Sequence, residues 1–227
     1  MLTILVDVDT QFDFVDPEGA LYVASASAVK AAIISALTRA QTSGQPILGS
    51  VDSHSYDAWE FAGNGGPFPP HCVKGTPGWL RVHHELPAKT RFVPMQPLAE
   101  DDVSNLIGES VQGEGPRTQS AADIAQEAMA GVGIYFEKEV YSLFDNPVAG
   151  PVVDALVQRM GGRDEVQFDV LGYCTGGYCV DAAAVGLAER GYRVRVLALA
   201  TAAIGGEEGE SKSREHLTSL GVEWVAP

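Results

Sequence analysis

Cys179 stands where a Gly-rich turn runs into a helix, in the stretch LGYCTGGYCVDAAAVGLAER at 171–190. Val180, Ala183, Ala184, Leu187 and Ala188 recur at helical spacing, and Gly191 sits at the C-terminal cap position. A cysteine at such an elbow meets free backbone N–H groups and the positive end of the helix dipole. Both favour a thiolate, and both can hold a developing oxyanion. The plain alternative is a small Cys packing a helix start. A second group lies in the loop VDSHSYDAWEFAGNGGPFPPHCVKGTPGWL, with Asp52, His54, Glu60 and His71. Asp-x-His at a strand end brings two ligand side chains together, and Pro69-Pro70 stiffens the chain before His71. Carboxylate with imidazole suits zinc, manganese or ferrous iron in a partly open site. His54 as an ordinary loop hydrogen-bonder is the alternative. Asp7, Asp9 and Asp13 in VDVDTQFDF are candidate acids, and strand alternation places Asp7 and Asp9 on one face. Lys138 is either a charge beside a nucleophile or a solvated surface Lys.

The elements that position these groups read as alternating strands and helices. Strands are expected at 2–8, 46–51, 134–136, 166–171, 193–200 and 222–225. Helices are expected at 25–42, from about 147 to 160, from Cys179 to about 190, and at 207–220. The loop after Asp52 is too rich in Gly and Pro for either. Residues 85–133 read as an insertion, broken by Pro87, Pro94 and Pro97, with a short helix over 120–130 and an acidic stretch at 100–116. This alternation defines an α/β protein, a three-layer α/β/α sandwich around a central, mainly parallel, doubly wound sheet. A single domain over 1–227 accounts for the length. Sites in such folds form beyond the C-terminal strand ends. Asp9, Asp52 with His54, Lys138 and Cys179 all fall there, so four separate signals converge on one sheet edge.

Composition excludes several classes. The 227 residues carry a net charge of −15, which argues against nucleic acid and anionic membrane as partners. Three cysteines without a framework spacing suit a reducing compartment, the cytoplasm. The start, MLTILVDVDT, lacks a basic n-region and reads as a strand rather than a signal peptide.

With these residues assembled, the chain resembles the isochorismatase-like cysteine hydrolases, and within them the nicotinamidase group. The opening D-x-Q-x-D-F pattern matches Asp9, Gln11, Asp13 and Phe14, which makes Asp9 rather than Asp7 the implied catalytic acid. The metal loop matches Asp52, His54, Glu60 and His71 within Pro69-Pro70-His71-Cys72-Val73 and Gly75-Thr76-Pro77-Gly78. The Lys that precedes a Tyr-Ser pair matches Lys138 before Tyr141-Ser142, and the nucleophile segment matches Tyr178-Cys179-Val180. Four departures stand out. Glu60 replaces a common His, Phe68 replaces a common Trp, the turn before Cys179 is one residue longer, and the insertion before Lys138 is longer.

The resemblance implies a metal-containing amidohydrolase acting through a Cys179 thioester. Asp9 would shuttle the proton, and Lys138 would favour the anions. The backbone N–H groups of Cys174 and Cys179 would form the oxyanion hole, with a cis peptide before Cys174. A divalent ion, zinc first and manganese or iron otherwise, would sit on Asp52, His54, Glu60 and His71 and grip a pyridine nitrogen. Phe14, Phe68, Tyr141 and Tyr178 would line the ring pocket. The expected partner is a small amide, nicotinamide first, with a homo-oligomer open. Two rivals are an amidase for another small amide or carbamoyl compound, and a catalytically silent small-molecule-binding member of the fold. The second would have lost Asp, Lys or Cys, and all three are present.

Overall fold

The computed structural model describes residues 1–95 and 120–225. The acidic stretch at 100–116 lies outside the described residues. Seven strands form one sheet: β1 (Leu2–Val8), β2 (Ile47–Asp52), β3 (Thr90–Val93), β4 (Gly133–Lys138), β5 (Val166–Thr175), β6 (Arg193–Ala203) and β7 (Glu223–Val225). Their order is β3-β4-β2-β1-β5-β6-β7, and every pairing is parallel. Among the described residues the α-helices are α1 (Phe12–Val15), α2 (Ala26–Ser43), α3 (Ala121–Met129), α4 (Ala149–Arg159), α5 (Cys179–Glu189) and α6 (Gly206–Ser219).

Both faces of the sheet are covered, as a parallel sheet requires. Ile4, Val6 and Val8 alternate onto one face with Ile134, Phe136, Phe168 and Val170. There they meet Ile124 of α3, Leu156 of α4, Ala183 and Leu187 of α5 and Leu217 of α6. Leu5, Ile47, Val51, Tyr135 and Leu171 point the other way, against Ile33 and Leu37 of α2 and the loop around Cys72. No helix among the described residues is long and apolar enough to cross a membrane.

Helix ends follow local chemistry. Gly44 closes α2 at φ 69°, the left-handed conformation that glycine adopts without steric cost. Ser120 caps α3 in a reciprocal capping box with Asp123.

Two segments differ from expectation. The stretch read as an insertion supplies β3, which pairs with β4 and forms the sheet edge. It is short, sits between Pro87 and Pro94, and buries only Val93 fully, so it lacks the apolar run of the inner strands. β5 runs on to Thr175, past the Gly172 that reads as the start of a turn. Gly172 has φ 120°, and a Cβ there would overlap the Val8 carbonyl. Register shifts on both sides of it bend β5 without ending it.

Candidate active site

Asp9, Asp52 and Lys138 lie at or just beyond strand ends, and Cys179 is the first residue of α5. The fold brings them together. Lys138 Nζ is 2.8 Å from Asp9 Oδ2, donates to Cys179 Sγ at 3.4 Å, and pairs with Asp52. Lys138 and Asp9 are fully buried. The reading of Lys138 as a solvated side chain is thereby excluded. Ser50 Oγ donates to Asp9 Oδ1 at 2.7 Å and fixes the carboxylate's other oxygen. Asp9 itself holds φ 48°, a left-handed conformation uncommon outside glycine.

Asp7 does not share this site. It accepts from Arg81 Nη2 and from the Tyr135 hydroxyl, each at 2.7 Å. β1 ends at Val8 and the backbone turns left-handed at Asp9, so strand alternation does not extend to it.

The electrostatics follow from burial. Desolvation raises the Asp9 carboxyl from 3.8 to about 6, against the pull of the Lys138 ammonium and with the push of Asp52. Burial also pushes the Cys179 thiol up, with Lys138 opposing and Asp9 and Asp52 reinforcing. A carboxylate poised near neutrality beside a thiol is a suitable general base.

The second group adjoins the first through Asp52. Asp52, His54 and His71 offer ligand atoms that all lie within 4.8 Å of one another. Glu60 Oε1 lies 2.9 Å from His54 Nε2 and 3.2 Å from His71 Nε2. The residues fit a metal. His71 donates Nδ1–H to the Pro69 carbonyl at 2.9 Å, which leaves Nε2 as the free donor atom. His54 is buried; its Nδ1 has no hydrogen-bond partner among the described residues, and its Nε2 faces Glu60 Oε1 at 2.9 Å and Asp52 Oδ2 at 3.9 Å. Buried imidazole nitrogens converging on carboxylates are a donor set that suits a cation. Phe14, Phe61 and Phe68 surround the His71 ring at centroid distances of 5.6, 5.4 and 5.9 Å and supply an apolar shell.

Phe14, Phe68, Tyr141 and Tyr178 all line one cavity with Asp52, Glu60, His71, Cys174 and Cys179. Tyr141 and Tyr178 meet edge to face at 5.5 Å. The Tyr173–Cys174 peptide is cis. Cys179 N–H begins α5 and has no intrahelical acceptor. Leu21, Tyr173 and Ile204 complete the lining and carried no sequence signal beyond being apolar or aromatic.

Two residues of the D-x-Q-x-D-F stretch support the site: Gln11, which had no assigned role, and Asp13, read as a candidate acid but engaged instead with backbone N–H groups. Gln11 bridges strand end and loop: its amide donates to the Asp52 and Trp79 carbonyls at 2.8 and 2.9 Å, and its oxygen accepts from Asp52 N–H at 2.7 Å. Asp13 accepts from Cys72 N–H at 2.7 Å and Ala20 N–H at 3.0 Å. Cys72 has φ 47°, so the bond pins a strained backbone next to His71. Gly78 makes room for that carboxylate, because a Cβ there would overlap it.

This is the isochorismatase-like three-layer fold, with its site at the C-terminal edge of the sheet. Among solved structures, the chain is similar over its full length to the pyrazinamidase of Pyrococcus horikoshii in complex with zinc. That pair has 23% identity, a TM-score of 0.68 and complete coverage of both chains. It is similar to the nicotinamidase of Bacillus subtilis at 22% identity and TM-score 0.66, again with complete coverage of both chains. It is similar to the N-carbamoylsarcosine amidase of Thermoplasma acidophilum at 21% identity and TM-score 0.59, over 99% of this chain and 95% of the other. No protein-family profile and no curated protein sequence matches the chain.

Proposed function

We propose that the protein is a cysteine amidohydrolase that converts a small ring carboxamide, nicotinamide first, to its acid and ammonia. The observation that carries this reading is buried Lys138, its Nζ placed between Asp9, at 2.8 Å, and Cys179 Sγ, at 3.4 Å, with Cys179 lining the cavity. Asp9 takes the Cys179 proton, and the sulfur attacks the amide carbonyl carbon. The oxyanion is held by the backbone N–H groups of Cys179 and Cys174. Asp9 returns the proton to the nitrogen, the C–N bond breaks, and ammonia leaves. Asp9 then deprotonates a water that hydrolyses the thioester. Lys138 stays protonated and offsets the charge on whichever neighbour is ionised.

Asp52, His54, His71 and Glu60 would hold a divalent ion, with zinc favoured by the zinc complex of the Pyrococcus pyrazinamidase. When bound, that ion supplies a Lewis-acid contact for a ring nitrogen. The N-carbamoylsarcosine amidase likeness supports a second reading, a carbamoyl or non-aromatic amide substrate. Three buried, unbridged cysteines support a reducing compartment, the cytoplasm. The net charge of −15 speaks against nucleic-acid or anionic-membrane partners, and a homo-oligomer is compatible with the fold.

The test is ammonia release across nicotinamide, pyrazinamide, carbamoyl compounds and non-aromatic amides. Turnover of the ring carboxamides above the others is expected. Cys179→Ala should lose at least roughly ten-thousandfold in kcat with fold intact, whereas Cys174→Ala, which keeps its backbone N–H, should stay active. Reversal of the two variants would reassign the nucleophile. Turnover of no amide would return the chain to a silent binding role.

A further inference from the structure

Ile204 lies in the turn between β6 and α6, and it lines the cavity together with Tyr173, Cys174, Tyr178 and Cys179. Its backbone is held from three sides. Its N–H donates to the Thr175 carbonyl at 3.1 Å. Gly176, at φ 100°, approaches so closely that a Cβ there would stand 2.6 Å from the Ile204 carbonyl oxygen. A Cβ on Gly209, in the first turns of α6, would overlap the same oxygen. Gly176 N–H in turn donates to the Ser213 hydroxyl at 2.6 Å, and Ser213 is buried on α6.

The turn before Cys179 is one of the two segments that the resemblance makes longer than in the family. The structure shows what that turn packs on. Gly176 seats against the Ile204 turn, so the segment carrying Cys174 and Cys179 and the segment carrying Ile204 are one braced unit. Ile204 is partly buried and packs against the core on that side of the sheet, and a side chain on a fixed backbone sets a size limit that a mobile one would not.

We propose that Ile204 is a specificity-determining residue: its side chain limits the bulk of the acyl group that can lie beside Cys174 and Cys179. The chain thereby selects small, unsubstituted ring carboxamides over ring-alkylated ones. This rests on the amidohydrolase reading above. Apolar walls discriminate by roughly 10–200-fold per methylene-sized change.

The experiment uses the zinc-loaded full chain as wild type, Ile204→Val, Ile204→Ala and Ile204→Phe. The first readout is kcat/KM for nicotinamide and for its ring-alkylated analogues. Ile204→Ala should raise the ratio of alkylated to plain substrate at least about tenfold, Ile204→Val should raise it less, and Ile204→Phe should lower it. The second readout needs no turnover: the rate of Cys179 alkylation by iodoacetamide and by a bulky N-aryl maleimide, located by peptide mass. Ile204→Ala should speed the bulky reagent about tenfold more than the small one. A substrate ratio constant within twofold across the series, with wild type active, overturns the proposal. If wild type hydrolyses no amide, the amidohydrolase reading fails and the labelling rates decide. Equal acceleration of both reagents then overturns the role of Ile204. Ile204→Val, which changes one methyl, supplies a folded comparison should the larger changes unfold the chain.

Discussion

At the scale of the residue, the site is a problem of burying charge. Asp9 and Lys138 are fully buried, and Asp52 and Glu60 are nearly so. An isolated charge in such a place neutralises itself or finds a partner. Lys138 answers for both Asp9 and Asp52, which leaves Asp9 with a carboxyl raised to about 6 by burial. The sign of the pH dependence follows. Asp9 accepts a proton only when ionised, so kcat/KM should be flat near neutrality and fall as pH drops through about 6. Asp9→Asn should remove that limb and reduce kcat by roughly 10²–10⁴-fold. The measurement is a pH profile of kcat/KM on the best amide. A limb near the ordinary carboxylate value of 3.8 would show that a less buried acid is titrating. The residue types themselves were readable in the sequence. Lys138 was not settled by it, because a lone Lys is usually solvated. Only the register of β4 beside β2, with Lys138 opposite Asp52, buries it.

At the scale of the element, the inner strands were legible because parallel strands buried on both faces are near-continuous apolar runs. β3 was not, since a four-residue edge strand buries little. The loop after β2 was legible in its candidate ligands but not in its supports. Its geometry depends on contacts far apart in sequence, such as Asp13 to Cys72 and Gln11 to Trp79. Asp13 is the sharper case, because both of its oxygens accept backbone N–H groups. Asn in its place offers one acceptor and turns an N–H₂ toward an N–H donor. Leaving one buried donor unmatched costs about 1–3 kcal/mol. The cost should fall on the loop, because the bond sits next to His71. Asp13→Asn should therefore weaken metal binding by about 10–100-fold, the range for outer partners of metal ligands. Competition against a calibrated zinc chelator measures it. A lowered melting temperature with unchanged metal affinity would make Asp13 a fold residue alone.

At the scale of the whole molecule, one edge of one sheet collects groups from β1, β2, β4, α5 and the long loop. The convergence was visible in the sequence because fold class alone sends strand ends to one side. The cavity's Ile204 wall was not, because it comes from the turn after β6, with no polar residue to mark it. The edge also carries an imbalance. Asp9, Asp52 and Glu60 are three buried carboxylates, and Lys138 is the one buried ammonium among the described residues at this edge. The chain's net charge of −15 adds to the surrounding field. A dication on Asp52, His54, His71 and Glu60 would offset that excess and bind only the folded state, where these ligands meet. Mass action then predicts the size of the effect. Free metal at about 100 times its dissociation constant stabilises the fold by about 2.7 kcal/mol. For a chain of this length that is a rise in melting temperature of roughly 5–11 °C. Thermal melts of chelator-stripped protein, with and without added zinc, should show this rise, and it should grow with the logarithm of free zinc. His54→Ala should flatten the dependence, read against that variant's own stripped melt, because the buried His54 also faces Glu60 at 2.9 Å and its loss lowers the stripped melt by itself. A zinc-induced rise that survives His54→Ala intact would place the metal elsewhere.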